Sequence, residues 1–153
     1  MSTSAEEPRV AVNLGDGVSL PLETAAVERT LHLVLDREAA EDACLSVAFV
    51  GDEEIARLNE EYLGHSGPTD VISFPLHAGD QPPLGDIYIG FEQAERQAGE
   101  VGVSLSEELL RLAIHGALHV LGYDHPNGEE RLESRMYLRQ EELLRDALRA
   151  SHP

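Results

Sequence analysis

Residues 104–125 read SLSEELLRLAIHGALHVLGYDH. Apolar side chains surround most of the helix that this stretch predicts, and a helix that is apolar on nearly all sides is buried. Ser104 and Glu107 have the spacing of a capping box at the start of the helix. Gly122 stands where the glycine that ends a helix belongs. The stretch therefore predicts a buried helix that runs to about Leu121 and forms the centre of the fold.

Three histidines in this stretch have the spacing of a metal site. His115 and His119 are four residues apart, so in a helix they lie about 6 Å apart along the axis and on one face. Gly122 turns the chain, and His125 follows at a distance from which it can supply a third imidazole. Two isolated histidines in a buried helix would each need a separate partner. Three protein ligands with one open position are the catalytic form of a zinc site, so we predict a divalent-metal site with zinc as the preferred ion.

The same spacing resembles the zinc-protease pattern His-Glu-x-x-His-x-x-Gly-x-x-His. In that pattern the residue after the first histidine is a glutamate that serves as general base. Here it is Gly116, which cannot accept a proton. The sequence therefore keeps the ligands of a metalloprotease and lacks its base, which disfavours peptide hydrolysis.

The remaining periodicities predict the order β-α-β-α-β-β-α-α-α. We expect one α/β (α+β) domain over residues 1–153, with a small mixed sheet, about five helices, and residues 1–7 frayed. Asp52 is expected to cap the second helix, and Cys44, the only cysteine, to be buried as a small apolar residue. A last helix is expected to open at Asn127-x-x-Glu130, with a mixed Glu and Arg face exposed to solvent.

Charge restricts the possible partners. The 153 residues include 11 basic side chains, all arginine, and 29 acidic ones, so the formal net charge is −18. Such a field repels polyanions at long range and argues against a general nucleic-acid coat protein. It leaves room for a local basic patch or for a metal that attracts phosphate. The sequence shows neither a secretory signal pattern nor a stretch of ~20 apolar residues, so we expect a cytoplasmic protein without a membrane partner.

Three segments together resemble a known family. They are Pro68-Thr69-Asp70-Val71-Ile72-Ser73-Phe74-Pro75, Leu84-Gly85-Asp86-Ile87 and the histidine segment 115–125. In order and spacing the chain resembles the YbeY family of bacterial rRNA maturation factors, described as single-strand-specific endoribonucleases. The resemblance spans roughly residues 8–150.

The resemblance implies a zinc ion held by His115, His119 and His125, on the floor of a cleft in an α/β fold. It implies that Thr69, Asp70 and Ser73 lie near that cleft. It also implies work on the 3′ end of 16S rRNA and in ribosome quality control, with single-stranded RNA and the small ribosomal subunit as partners and no DNA. Within the cleft, Asp70 is a candidate general base, but aspartate also caps turns well, and both roles remain open.

One position departs from the family pattern. Many members carry an arginine directly after the tyrosine that ends the second helix, and it is thought to contact an RNA phosphate. Here the pair is Tyr62-Leu63, and leucine cannot donate to a phosphate. Two alternatives therefore stay open: a non-catalytic ribosome-assembly factor with a structural zinc, and a zinc hydrolase of another substrate.

Overall fold

The computed structural model describes residues 9–123 and 134–151. Its elements follow the predicted order: β1 (Val10–Leu14), α1 (Thr24–Arg37), β2 (Cys44–Val50), α2 (Asp52–Leu58), β3 (Val71–Pro75), β4 (Leu84–Gly90), α3 (Phe91–Val101), α4 (Leu105–Val120) and α5 (Arg135–Ser151). A π-helical turn, Asn59–Leu63, continues α2. Three predictions concern residues outside the described ranges: fraying of residues 1–7, the ligand His125 and a helix start at Asn127-x-x-Glu130.

The four strands form one mixed sheet in the order β1-β2-β4-β3. β1, β2 and β4 run parallel, and β3 is an antiparallel edge strand. Alternate strand residues face opposite sides of the sheet: Val47 and Ile87 join the main core with α1, α4 and α5, whereas Val50 and Ile72 pack with α2. The predicted α/β class, mixed sheet and set of five helices are confirmed in the described part of the chain.

α4 lies unusually close to the sheet because two contact positions are glycine. A Cβ added at Gly116 would lie 2.6 Å from Ile87 Cγ2. A Cβ added at Gly85 would lie 2.6 Å from Val120 Cγ2. Both distances are shorter than carbon atoms tolerate, so the absence of a side chain at position 116 also has a packing reason.

The ends of α4 are fixed as the sequence predicts. Ser104 Oγ accepts a hydrogen bond from the Glu107 backbone N–H at 3.0 Å. At the other end Gly122 has a φ of 107°, which glycine adopts without strain. The Gly122 N–H donates to the His119 carbonyl, and the Tyr123 N–H donates to the Leu118 carbonyl, the pattern of a Schellman motif. α4 therefore ends at Val120, and its backbone turns at Gly122.

The predicted cap of α2 was wrong. α2 begins at Asp52 itself, and the Asp52 backbone N–H donates to Glu92 Oε1 at 2.7 Å. The Asp52 carboxylate instead accepts two hydrogen bonds from Arg96, each of 3.0 Å. A carboxylate distant in sequence thus caps the helix, because α3 begins beside α2.

Two further predictions need correction. Cys44 is exposed, because it is the first residue of β2 and lies at the end of the sheet. The apolar and polar pattern of residues 92–97 predicts a helix that ends near Gly99, whereas α3 continues to Val101 and has its C-cap at Gly102, whose φ is 80°. In the described residues, no helix is both long and apolar enough to cross a membrane.

Candidate active site

α4 brings two of the predicted ligands together. The imidazole centroids of His115 and His119 lie 4.8 Å apart, and their planes meet at 78°. Two imidazoles bound to one tetrahedral zinc through bonds of ~2.0 Å have centroids roughly 5 Å apart, so the pair fits a shared ion. His125 lies outside the described residues. Within residues 9–123 and 134–151, no three His, Cys, Asp or Glu side chains are grouped as a metal site.

The two histidines line a cleft of about 630 Å³. Its walls come from β3, α4, α5 and the end of the π-helical turn; the lining residues include Leu63, Asp70, Ser73, Arg111, Tyr137 and Gln140. Asp70 and Ser73 thus lie in the same cleft as His115 and His119. Thr69 is not among the lining residues in the described part of the chain, and its carbonyl oxygen lies against Gly90.

Asp70 lines the cleft and directly precedes β3. Its Oδ1 accepts a hydrogen bond of 2.7 Å from the Val71 backbone N–H, and its backbone carbonyl accepts one of 2.8 Å from Gly90 N–H. The carboxylate therefore stabilises the turn into the strand, and Asp70 is also one of the residues that line the cleft. Both roles considered for this residue are compatible with its position.

β3 offers its free backbone edge to the cleft. The bond from Gly90 to Asp70 and the alternation of an antiparallel ladder direct the N–H and C=O groups of Ile72 toward β4. The same alternation directs those of Ser73 away from β4, and Ser73 lines the cleft. An extended substrate therefore finds backbone hydrogen-bonding groups along one wall.

The cleft contains a basic side chain that sequence reasoning missed. Arg111 lies one helical turn before His115 and lines the same cleft. Its guanidinium donates hydrogen bonds to Glu107, Glu108 and Glu141. The shortest donor–acceptor distance to each carboxylate is 2.8 Å. Burial lowers the pKa of Arg111, but the three carboxylates outweigh this effect and raise it. The spacing of four from His115 was the signal that could have revealed it.

The cleft is also lined by a polar residue of α5, Gln140, which is only 5% exposed. Gln140 Oε1 lies 2.7 Å from His115 Nδ1, and Gln140 Nε2 donates to Glu141 Oε2 at 3.0 Å. Burial acts to raise the pKa of Glu141, but hydrogen bonds from Arg111 and Gln140 prevail and lower it. The expectation that the polar face of the last helix is simply solvated was wrong here, because part of that face packs on α4.

The chain is similar to known proteins over most of its length. The family model described as Endoribonuclease YbeY matches residues 18–147, which include both described histidines and the whole lining of the cleft. The chain belongs to the YbeY family. Membership confirms the resemblance of the three segments and the expected enzyme class, an endoribonuclease.

Individual YbeY relatives are similar over most of their length. The chain is 43% identical over 132 residues to Endoribonuclease YbeY of Bacillus licheniformis, covering 78% of this chain and 82% of that protein. It is 40% identical over 131 residues to Endoribonuclease YbeY of Aquifex aeolicus, covering 84% and 85%. The solution structure of TM1509 from Thermotoga maritima superposes with a TM-score of 0.64 at 28% identity, covering 94% of this chain and 93% of that one.

The position where many YbeY proteins carry arginine also lies in the cleft. Leu63 ends the π-helical turn, lines the cleft and is 49% exposed. Asn59, in the same turn, donates from its side chain to the Gly67 carbonyl at 2.9 Å and so holds the following loop. His65, two residues after Leu63, is the nearest histidine that could replace the arginine, but it is exposed and does not line the described cleft.

Proposed function

We propose that this protein is a zinc-dependent endoribonuclease that cleaves single-stranded RNA in the cytoplasm, in 3′-end maturation of 16S rRNA and in ribosome quality control. The observation that carries the proposal is the adjacent pair His115 and His119 on one face of a buried helix, in the wall of the cleft. Family membership supports the choice of RNA as the substrate.

The metal would be held by His115, His119 and His125. Imidazole nitrogens are ligands that zinc prefers, and the 4.8 Å between the first two rings agrees with a shared ion. When bound, zinc supplies a Lewis acid for a phosphoryl oxygen and lowers the pKa of water. Gly116, between the first two ligands, provides no general base.

The substrate would lie along β3. Thr69, Asp70 and Ser73 are our candidates for the substrate side of the cleft, and Asp70 is our candidate proton acceptor. Asp70 and Ser73 both line the cleft. A single strand fits such an open edge better than a duplex, because its backbone and bases are free to adapt.

The electrostatics predict that the substrate is delivered by a partner. In the described lining, Arg111 is the one basic residue besides the histidines, and three carboxylates surround it. With a net charge of −18, capture of free RNA should be weak and sensitive to salt. The small ribosomal subunit with its associated proteins is the proposed partner, whereas DNA and membranes are not expected. Tight binding of the isolated chain to single-stranded RNA at physiological salt would contradict this part.

Leu63 favours a second candidate, a ribosome-assembly factor with a structural zinc. An apolar side chain stands where the family places a phosphate contact, and this lowers the affinity expected for RNA. A fourth protein ligand on the ion would support this candidate. A zinc hydrolase of another substrate is the remaining alternative, and Gly116 disfavours its peptide form.

The experiment that tests the proposal restores the missing charge. We expect Leu63→Arg to cleave single-stranded RNA faster than the parent and to steepen the salt dependence of RNA binding by about 0.7 in logarithmic slope, the contribution of one further phosphate contact. Leu14→Arg is the matched control, because Leu14 is also exposed and lies on β1, at the opposite edge of the sheet. Equal cleavage rates and equal salt dependence in the two variants would show that position 63 does not contact the RNA. Absence of cleavage by both variants would favour the assembly factor.

A further inference from the structure

Gln140 connects one of the proposed metal ligands to a buried ion pair. Its side-chain oxygen lies 2.7 Å from His115 Nδ1, and its side-chain nitrogen lies 3.0 Å from Glu141 Oε2. The residue is almost fully buried. A glutamine amide has one end that accepts and one end that donates, so its orientation determines what it offers to the histidine.

Arg111 fixes that orientation through Glu141. The guanidinium binds both carboxylate oxygens, from Nε to Oε2 at 2.8 Å and from Nη2 to Oε1 at 3.2 Å. A carboxylate held this way is ionised and can only accept hydrogen bonds. Gln140 must therefore turn its NH₂ group toward Glu141. The reversed amide would place two acceptor oxygens about 3 Å apart, which costs a buried hydrogen bond.

The amide oxygen of Gln140 is then left facing His115 Nδ1. Because that oxygen can only accept, Nδ1 must be the nitrogen that carries the hydrogen. A neutral imidazole carries one N–H, so Nε2 is then the nitrogen without a hydrogen, the form in which imidazole nitrogen binds a metal. We propose that Gln140 is a positioning residue that fixes His115 as the Nδ1–H tautomer and so makes Nε2 its metal-binding nitrogen.

This arrangement differs in one respect from the usual support of a metal-binding histidine. Such histidines commonly donate their second N–H directly to a carboxylate, a carbonyl or water. Here a neutral amide is placed between His115 Nδ1 and the Glu141 carboxylate, so this nitrogen is linked to that carboxylate only through the amide. The inference depends on the proposed function only where it treats His115 as a metal ligand.

The first test reads the tautomer in the metal-free chain, where no zinc chemistry is involved. Long-range ¹H–¹⁵N correlation of the His115 ring at pH about 8, above the ordinary imidazole pKa of ~6.5, should show the proton on Nδ1. Gln140→Leu, which removes both hydrogen bonds at similar size, should move it to Nε2. Glu141→Gln should give a mixture of the two forms, because its neutral amide no longer forces the orientation of Gln140; it also provides a second reading should Gln140→Leu fail to fold.

The second test measures zinc affinity by competition with a chelator. Gln140→Leu should bind zinc 10–100-fold more weakly, the usual effect of losing such a support. Gln97→Leu is the matched control, because Gln97 lines the same cleft and donates to Glu108 at 3.1 Å, not to a histidine; its affinity should equal that of the parent.

Two results would overturn the inference. One is a parent chain whose metal-free His115 carries its proton on Nε2. The other is a Gln140→Leu variant with the tautomer and zinc affinity of the parent. Failure of the proposed metal site is distinguishable from both. In that case His119→Ala would bind zinc as the parent does, while the tautomer of His115 would still be set by Gln140.

Discussion

Gly116 faces Ile87 so closely that a Cβ at position 116 would lie 2.6 Å from Ile87 Cγ2. This contact sets how near α4 and its two histidines lie to β4. The neighbouring residues of α4 are buried on nearly every side, so the helix has little room to move away. The spacing between the proposed metal site and the sheet therefore depends on the absence of one methyl group.

We expect Gly116→Ala to lower the free energy of unfolding by about 1–3 kcal/mol, the usual cost of overpacking a core. The matched control is Gly99→Ala in α3, where an added Cβ meets nothing within 4 Å. In the control, the free energy of unfolding should rise by up to ~1 kcal/mol, because alanine favours the helix more than glycine does. Urea unfolding of both variants measures the difference, and equal stabilisation of the two would show that α4 is less tightly packed than the distance implies.

Tyr123 anchors the chain just after α4. Its hydroxyl donates to Glu38 Oε1 at 2.7 Å, and Glu38 Oε2 also accepts from Arg139 Nε at 2.6 Å. Tyr123→Phe should lower the free energy of unfolding by about 1.5–3 kcal/mol, the range for a hydrogen bond to a charged group. It should also lower the affinity for zinc, because the proposed ligand His125 follows two residues later. Tyr62→Phe, at an exposed tyrosine, should leave both quantities unchanged. If Tyr123→Phe lost stability but kept full zinc affinity, the anchor would have no role in the metal site.

Glu141 predicts an acid-side loss of stability. Its pKa is lowered in the folded chain from an ordinary 4.5, since hydrogen bonds from Arg111 and Gln140 outweigh the effect of burial. A lowered folded pKa stabilises the fold above the ordinary value, and this contribution is lost as the pH falls through the folded pKa. The stability difference between the parent and Glu141→Gln should therefore shrink between neutral and acid pH. Urea unfolding at several pH values tests this, and a difference that stays constant or grows on acidification would contradict it.

Ala39 offers a stabilising substitution. It is a non-glycine residue with a positive φ, 56°, at the position after α1 where the Ala39 N–H donates to Asp36 and the Ala40 N–H to Leu35. Ala39→Gly should relieve about 1 kcal/mol of backbone strain and raise the Tm by roughly 2–4 °C. The control is Ala40→Gly, at a residue without positive φ, which should lower the Tm. An unchanged or lower Tm for Ala39→Gly would show that the strain is negligible.

The face shared by His115 and His119 was predictable because it depends only on helical periodicity. The element order was predictable from local periodicities of apolar residues, and the mixed sheet was inferred from that order. The contact between His115 and Gln140 was not, since the two residues lie 25 positions apart and meet only through the packing of α5 on α4. The capping of α2 by Glu92 was also not predicted, because Glu92 is 40 positions from Asp52. The local sequence, moreover, already offered Asp52 as a plausible cap.

The most direct test of the central claim is cleavage of a single-stranded RNA by the zinc-loaded chain and by His119→Ala prepared identically. His32→Gln, at a histidine on α1 that does not line the described cleft, controls for the loss of any imidazole. We predict metal-dependent cleavage by the parent and by His32→Gln, and none by His119→Ala. Equal cleavage by the parent and His119→Ala would contradict the claim that the chemistry takes place at the histidines of α4.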